Sequence, residues 1–266
     1  MLSIRWYGFF LEYSKIQWLV MENLFFAQNR LYMQPCAVAT NVHPYWAENS
    51  IHYGVDWFKL QIWPSGFLTP SDVRTAKHQT AAFWTQTVDP LDANLNIIFQ
   101  LHYNEGSVDM GTAGMNYGYN IKPCRDATET ERMYFDGELI KGAYLDGSGF
   151  LNDAVKIGNL IWMVDFLNVV NYQNGTTIPN GTLEWVGLNL PAFSFILSND
   201  YGRFYNGYAV RTGNLVSGNG WRIPTLEDCN ALMNIAYGIG NSIYGNPNYS
   251  EAAILKSCRQ INHPLA

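Results

Sequence analysis

The stretch GNGWRIPTLEDCNAL, residues 218–232, says more about the fold than any other part of the chain. Pro224 fixes φ and ends a short apolar strand around Trp221. Thr225 is a good N-cap residue, and Asp228 follows three positions later, which is close to a capping box. Apolar residues then recur at roughly helical spacing, at Leu226, Leu232, Met233 and Ile235. The stretch therefore predicts a strand that runs directly into an amphipathic helix.

Four other stretches belong with this one: VKIGNLIWMVDFLNV (155–169), NGTTIP (174–179), YGRFYNGYAV (201–210) and LKSCRQINHPL (255–265). Together they resemble the Fibrobacter succinogenes major paralogous domain family, a subtype of the C-type-lectin-like domains. One departure is Gly207, which stands where this family usually has tryptophan. The resemblance implies an α+β, C-type-lectin-like fold with short antiparallel strands, one or two helices and long loops.

The order of the family-like segments is inverted along the chain. Three stretches that resemble the closing part of the family domain come first, at 36–58, 81–87 and 117–127. The resemblance therefore divides the chain into an apolar N-terminal arm, a closing part, a connector and an opening part, at residues 1–33, 34–127, 128–142 and 143–266.

This inverted order allows two arrangements. In a circular permutant, the connector joins the old termini within one chain, which is easy where domain termini are neighbours. In a swapped assembly, each half completes the other half of a neighbouring subunit. We predict one shared core, with the strand near Ile121 beside the strands around Val155 to Met163, and with Trp84, Trp162 and Trp221 buried.

The composition favours a loop-rich folded domain. Hydrophobic residues make up 48% of the 266 residues, aromatic residues 15% and charged residues only 14%. A disordered chain would need high charge and few aromatic residues. The net charge of −6 and the absence of a basic cluster argue against nucleic-acid binding. A virion, a surface assembly or an extracellular setting suits this balance.

Residues 1–32 form the most hydrophobic block of the chain. Glu12, Lys15 and Glu22 interrupt every window long enough to cross a bilayer, so we expect no membrane span. The block also makes a poor signal peptide, because its apolar run is broken and no small-residue cleavage site follows. This favours a virion setting. The block is either a core element of the domain or an arm that docks on a partner subunit.

The chain has four cysteines, and their spacing fits no structural zinc site. The family resemblance implies two disulfides, Cys36 with Cys258 and Cys124 with Cys229. The alternative is four buried free thiols, as in a protein assembled in a reducing compartment.

His43, His52 and Asp56 lie close together in sequence and offer ligand types that a transition metal accepts. The alternative is that these side chains organise their loop through hydrogen bonds. We expect neither a metal nor a cofactor.

Aromatic residues in the closing part carry the functional hint. In lectin-like domains this part builds the exposed recognition face, and tyrosine and tryptophan give large, rigid contact areas. The candidate ligand-binding residues are Trp57, Trp63, Tyr103, Tyr117 and Tyr119. The alternative is that they are ordinary core residues.

We therefore expect a non-enzymatic recognition or structural module of a surface assembly. The settings are a phage virion, as a fibre, decoration or tail protein, or a bacterial surface adhesin. The expected partners are a protein or glycan on a cell surface and further copies of the chain or other virion subunits. The alternative is an enzyme on the same fold, either a glycan-active protein or an oxidase of the formylglycine-generating type. Such an oxidase needs two closely spaced reactive cysteines, and no second cysteine lies near Cys124 in the sequence.

Overall fold

The computed structural model describes residues 46–49, 51–195, 202–216, 218–240 and 251–257. All of them belong to one compact unit, Val38–Pro264. The apolar N-terminal arm, 1–33, lies outside the described residues. The strands are β1 Phe67–Leu68, β2 Arg74–Thr75, β3 Thr80–Val88, β4 Leu95–His102, β5 Val108–Gly114, β6 Gly118–Tyr119, β7 Cys124–Asp126, β8 Leu139–Leu145, β9 Leu151–Ile157, β10 Leu160–Met163, β11 Phe193–Ser194 and β12 Phe204–Asn206. The α-helices are α1 Gly207–Arg211, α2 Leu226–Ile239 and α3 Glu251–Leu255, and a 3-10 turn covers Glu131–Met133.

The strands form three small sheets. One sheet has the order β11-β12-β6-β1-β2, the second β7-β10-β9-β8 and the third β3-β4-β5. Every pairing between these strands is antiparallel. Short antiparallel strands with three helices among the described residues make an α+β architecture, as the sequence predicts.

The strand-to-helix stretch folds as its residue types dictate. The Thr225 side chain accepts a hydrogen bond from the backbone N–H of Asp228, and the Asp228 carboxylate accepts one from the backbone N–H of Thr225. This reciprocal capping box satisfies N–H groups that the first turn of a helix leaves without partners. Helix α2 therefore begins at Leu226, directly after its N-cap residue Thr225.

The two family-like parts of the chain are joined by β-pairing. Strand β7, from the part at 34–127, pairs with β10, from the part at 143–266, and Trp162 lies opposite Cys124. Cys124 also pairs with Arg222 through an isolated antiparallel bridge. Within the described residues, these segments thus pack on each other inside a single chain.

The core is built from both parts. One buried cluster brings Trp84 and Ile121 together with Tyr205 and Trp221. A second cluster combines Phe83 and Phe99 with Trp162 and residues of α2 and α3. Trp84, Trp162 and Trp221 are all buried, which confirms the prediction for these three side chains. No helix among the described residues has both the length and the apolar character needed to cross a bilayer.

Candidate functional site

An open cleft of about 560 Å³ lies at one end of the three-stranded sheet. Its wall comes from the start of β4, the turn after β5, the segment before β11 and helix α1. The residues that line it are Asn94, Leu95, Gly114, Met115, Asn116, Pro191, Tyr208, Arg211 and Thr212. Its volume falls within the range of about 300–1,000 Å³ that small-ligand sites have.

The turn at Met115 and Asn116 is held from two sides. The carbonyl of Met115 accepts a hydrogen bond from the backbone N–H of Gly207, at 2.8 Å. The carbonyl of Asn116 accepts one from the indole N–H of Trp185, at 3.0 Å. Because Trp185 is buried, this turn is fixed to the body of the protein, and the cleft has a firm wall there.

Arg211 ends helix α1 and reaches across to β4. Its Nε donates to Oδ1 of Asn96 at 2.9 Å, and its Nη2 donates to the carbonyl of Leu95 at 3.2 Å. Asn96 is itself buried and donates to the carbonyl of Thr85. Among the described residues, no carboxylate pairs with Arg211. The guanidinium is therefore oriented by neutral acceptors and keeps its full charge available to a ligand.

Other polar groups of the cleft are also available. Within the described part of the chain, the Tyr208 hydroxyl and the Asn116 side-chain amide make no hydrogen bond. The Asn94 amide donates to Asp92, which leaves its carbonyl oxygen as a free acceptor. Beside these groups lie apolar surfaces, contributed by Leu95, Met115 and Pro191. The mixture suits a ligand that carries both hydroxyl groups and an apolar face.

Gly207 explains how the turn can come so close to helix α1. A Cβ atom at this position would lie 2.8 Å from Sδ and 2.9 Å from Cα of Met115. Any larger residue would push the turn away. Gly207 is the residue of YGRFYNGYAV that departs from the family pattern. Its lack of a side chain lets Met115 pack against α1 at the edge of the cleft.

The five aromatic candidates lie elsewhere in the fold. Trp63 and Tyr119 are buried in the core, with only 4% of each residue exposed. Their burial corrects the expectation that they contact a ligand directly, because neither presents a surface. Tyr119 packs against Phe67 and Trp84 instead.

The other three aromatic candidates, Trp57, Tyr103 and Tyr117, are half-buried and pack on the core. They are not among the residues that line the cleft. Their role in binding stays a prediction.

Cys124 and Cys229 are free, buried thiols in the structure, which corrects the disulfide expected between them. The physical reason is visible at Asp228: the Cys124 thiol donates to Oδ2 of this carboxylate at 3.5 Å. Burial, together with the charge of Asp228, raises the pKa of both thiols well above the usual value. Cys36 and Cys258 lie outside the described residues.

The candidate metal ligands are placed only in part. His43 lies outside the described residues, and Asp56 accepts a hydrogen bond from the backbone N–H of Gln61. His52 is half-buried, and burial together with the charge of Lys256 lowers its pKa. No group of three or more potential metal-ligating side chains occurs within the described ranges.

The residues of the cleft were not singled out by the sequence, apart from the glycine at 207 next to them. They come from four separate segments, and none of these segments carries a recognisable binding motif. The one available signal was the glycine itself, a small residue at a position where the resembling family has a large one.

Neither the curated proteins nor the solved structures contain a match to this chain. The model of one protein family does match it, over residues 155–258, which include the end of β9, all of β10, helix α2 and the strand-to-helix stretch. This segment of the chain, residues 155–258, therefore matches the Fibrobacter succinogenes major domain.

Proposed function

We propose that this chain is a non-enzymatic recognition module of a surface assembly, built on a C-type-lectin-like fold. The setting is a phage virion, as a fibre, decoration or tail protein, or a bacterial surface adhesin. The observation that carries the proposal is the cleft, where Asn116, Tyr208 and Arg211 offer polar groups beside apolar surface. Clefts of this composition bind and orient ligands.

The lectin-like fold is supported by the way the ends of the domain meet. The strand-to-helix stretch lies beside β7, because Cys124 and Arg222 exchange backbone hydrogen bonds of 3.0 and 2.8 Å. Strand β7 in turn pairs with β10. A closing strand beside both the opening strand pair and the first helix entry is what the family resemblance implies.

The state of the cysteines favours binding over oxidase chemistry. A nucleophilic or redox-active cysteine must reach the thiolate form, which a low pKa and solvent access promote. Cys124 and Cys229 have the opposite properties, since both are buried and both have raised pKa values. Thiols in this state act as core residues.

A second surface supports assembly into multimers. The tip of the β8–β9 hairpin carries Leu145, Phe150 and Leu151, which are 59%, 68% and 69% exposed. Leu145 and Leu151 lie directly opposite each other across the two strands. An apolar cluster of this kind is costly to leave in water, and contact with another copy of the chain would cover it.

Binding is tested with matched asparagine variants. Asn116→Ala removes the free amide from the cleft, whereas Asn104→Ala removes an exposed amide from the turn at the other end of the β4–β5 hairpin. The protein is applied to a glycan array and to whole bacterial cells. We expect binding by the wild type and the Asn104 variant, and at least roughly fivefold weaker binding by the Asn116 variant. Turnover of a bound glycan, or equal binding by both variants, would contradict the proposal.

Assembly is tested by light scattering of the intact chain. We expect a multimer, and we expect Leu151→Asp to shift it toward smaller species without changing the melting temperature by more than a few degrees. A chain that is a monomer at micromolar concentration would overturn this part of the proposal.

A further inference from the structure

We infer that the cleft binds an acidic saccharide, with the carboxylate of one sugar residue on the guanidinium of Arg211. This inference rests on the proposed recognition function and names its ligand class. Arg211 is the one side chain with a full charge among the residues that line the cleft. It forms no ion pair with any described residue, although the whole chain carries a net charge of −6.

The guanidinium of Arg211 is held in an orientation that suits binding of a carboxylate. Two of its N–H groups are bound to Asn96 and to the carbonyl of Leu95, and these bonds fix the plane of the group. The N–H groups that remain can form the paired, charge-assisted hydrogen bonds that arginine makes with carboxylates. No protein carboxylate has to be displaced first, because no described residue forms an ion pair with Arg211.

The two carboxylates that precede the cleft residues Asn94 and Leu95 in the chain are engaged in their own turn. Oδ1 of Asp89 accepts from the backbone N–H of Leu91, and Oδ1 of Asp92 accepts from the backbone and the side chain of Asn94. Neither aspartate is a lining residue of the cleft. Neither of them forms an ion pair with Arg211.

The hydrogen-bonding groups of the cleft favour a sugar over a peptide. An extended peptide is read mainly through free main-chain groups. Here four carbonyls of the cleft are already occupied: Gly114 accepts from Tyr117, Met115 from Gly207, Asn116 from Trp185 and Leu95 from Asp89 and Arg211. The polar groups offered by Asn94, Asn116 and Tyr208, by contrast, belong to side chains.

Those side chains match the two faces of a sugar ring. The Asn116 amide can both donate and accept, the Tyr208 hydroxyl can do the same, and Oδ1 of Asn94 can accept. Together they can bind hydroxyl groups at several angles. Met115 and Pro191 give the apolar surface on which the C–H face of a ring packs.

The decisive experiment compares ligands that differ only in charge. Binding of oligogalacturonate and of its methyl-esterified form is measured by calorimetry, with sialyllactose and lactose as a second pair and hexaglutamate as the peptide probe. We expect each acidic sugar to bind at least about tenfold more tightly than its neutral counterpart. We also expect the difference to shrink as salt is raised, since the site is open to solvent.

Variants of Arg211 show where the preference comes from. Arg211→Gln should abolish the preference for the acidic sugar, and Arg211→Lys should keep part of it. The matched control is Arg132→Gln, which removes an exposed arginine from the 3-10 turn and should change nothing. A melting curve for each variant shows that the fold is retained.

The experiments distinguish failure of the acidic-saccharide inference from failure of the proposed function. If neutral sugars bind as well as acidic ones, and Asn116→Ala weakens both, the acidic-saccharide inference is wrong while recognition at the cleft stands. Binding of hexaglutamate but of neither acidic sugar overturns the inference in favour of an acidic protein partner. If no probe binds and whole-cell binding is also absent, the inference and the proposed function both fail.

Discussion

Arg222 and Arg211 have the same side chain, and the structure uses them in opposite ways. Arg222 donates to both oxygens of Asp228, at 3.0 and 2.7 Å, and to Asp126 at 2.9 Å. Arg211 donates only to a neutral amide and a carbonyl. We call the region around Arg222, which also contains Cys124, Trp221 and Asp228, the helix-entry corner.

The difference between the two arginines separates a residue that stabilises the fold from one that is available to bind a ligand. At the helix-entry corner, Arg222 links β7 to the start of α2, and its charge is matched inside the protein. At the cleft, the charge of Arg211 is left without a match among the described residues. Substitutions at the corner should therefore change stability, whereas substitutions at the cleft should change binding.

The largest expected effect is that of Trp221→Ala. Trp221 is 5% exposed, packs against Tyr144 at a ring distance of 4.9 Å and lies under the guanidinium of Arg125. Its removal should lower the free energy of unfolding by roughly 3–5 kcal/mol. The matched cleft variant, Tyr208→Ala, should cost less than about 1 kcal/mol. Urea denaturation measures both, and a normally stable Trp221 variant would remove the contrast between the two regions.

Asp228→Asn should cost about 2 kcal/mol at pH 7, since it removes a charged acceptor from two hydrogen bonds of Arg222. Arg211→Gln, the control at the cleft, should cost less, about 1 kcal/mol, because its two hydrogen bonds go to neutral acceptors. Equal losses in the two variants would mean that Arg211 also holds the fold.

The same aspartate predicts a loss of stability in acid. Burial alone would raise the pKa of Asp228, but the hydrogen bonds from Arg222 and from the backbone of Thr225 outweigh it and lower the pKa below the usual 3.8. The unfolded chain therefore binds this proton first as the pH falls. The stability that the Asp228 carboxylate contributes is therefore present above pH 3.8. It is lost as the pH falls from 3.8 through the lower pKa of Asp228 in the folded protein. Acid titrations of the wild type and Asp228→Asn should differ in this window.

A smaller effect of the same sign, in a higher pH window, is expected at Lys122, two residues before Cys124. Burial lowers the pKa of Lys122 to about 7, from 10.5 in its ordinary state. Between these values the unfolded chain holds more protons, so stability should rise as the pH goes from about 7 to 10.5. Lys122→Met should remove part of this rise and stabilise the protein near pH 7 by about 1 kcal/mol.

The matched control for Lys122 is Lys141, which is exposed, and Lys141→Met should keep the rise in stability that Lys122 produces. Lys256, which is also buried with a pKa of about 7, should supply the remaining rise. A profile that stays flat from pH 7 to 10.5 in the wild type would contradict the assignment of both buried lysines.

The smallest effect is expected from reducing agents. Because Cys124 and Cys229 are free thiols, adding dithiothreitol should leave the contribution of the helix-entry corner to stability unchanged. A thiol reagent should label these two residues only after unfolding, since both are buried and have raised pKa values. Mass spectrometry of the native protein checks this, and a Cys124–Cys229 peptide pair would contradict it.

The sequence predicted the helix-entry corner much better than the cleft. The capping box at Thr225 and Asp228 and the burial of Trp221 follow from residues close together in the chain, where local rules apply. The placement of β7 beside β10 followed from the family motifs. The predicted Cys124–Cys229 disulfide was wrong, because the positions of the cysteines in the sequence do not show that the Cys124 thiol will donate a hydrogen bond to a carboxylate.

The cleft was beyond sequence reasoning for a different reason. Leu95, Met115, Pro191 and Arg211 meet only through tertiary packing, and each has an ordinary neighbourhood in the sequence. The aromatic candidates were chosen by residue type, which does not show how deeply a side chain is buried. Trp63, for example, is a residue type common in ligand contacts, but it is buried in the core.

The order of the strands has a consequence for how the molecule folds. Strands β7 to β10 are consecutive in the chain, and β9 turns into β10 across Gly158 and Asn159. Short loops of this kind close at low entropic cost. The contact between Cys124 and Asp228, by comparison, spans 104 residues. Since local contacts form faster than distant ones, we expect the four-stranded sheet to be structured in the folding transition state and helix α2 to dock late.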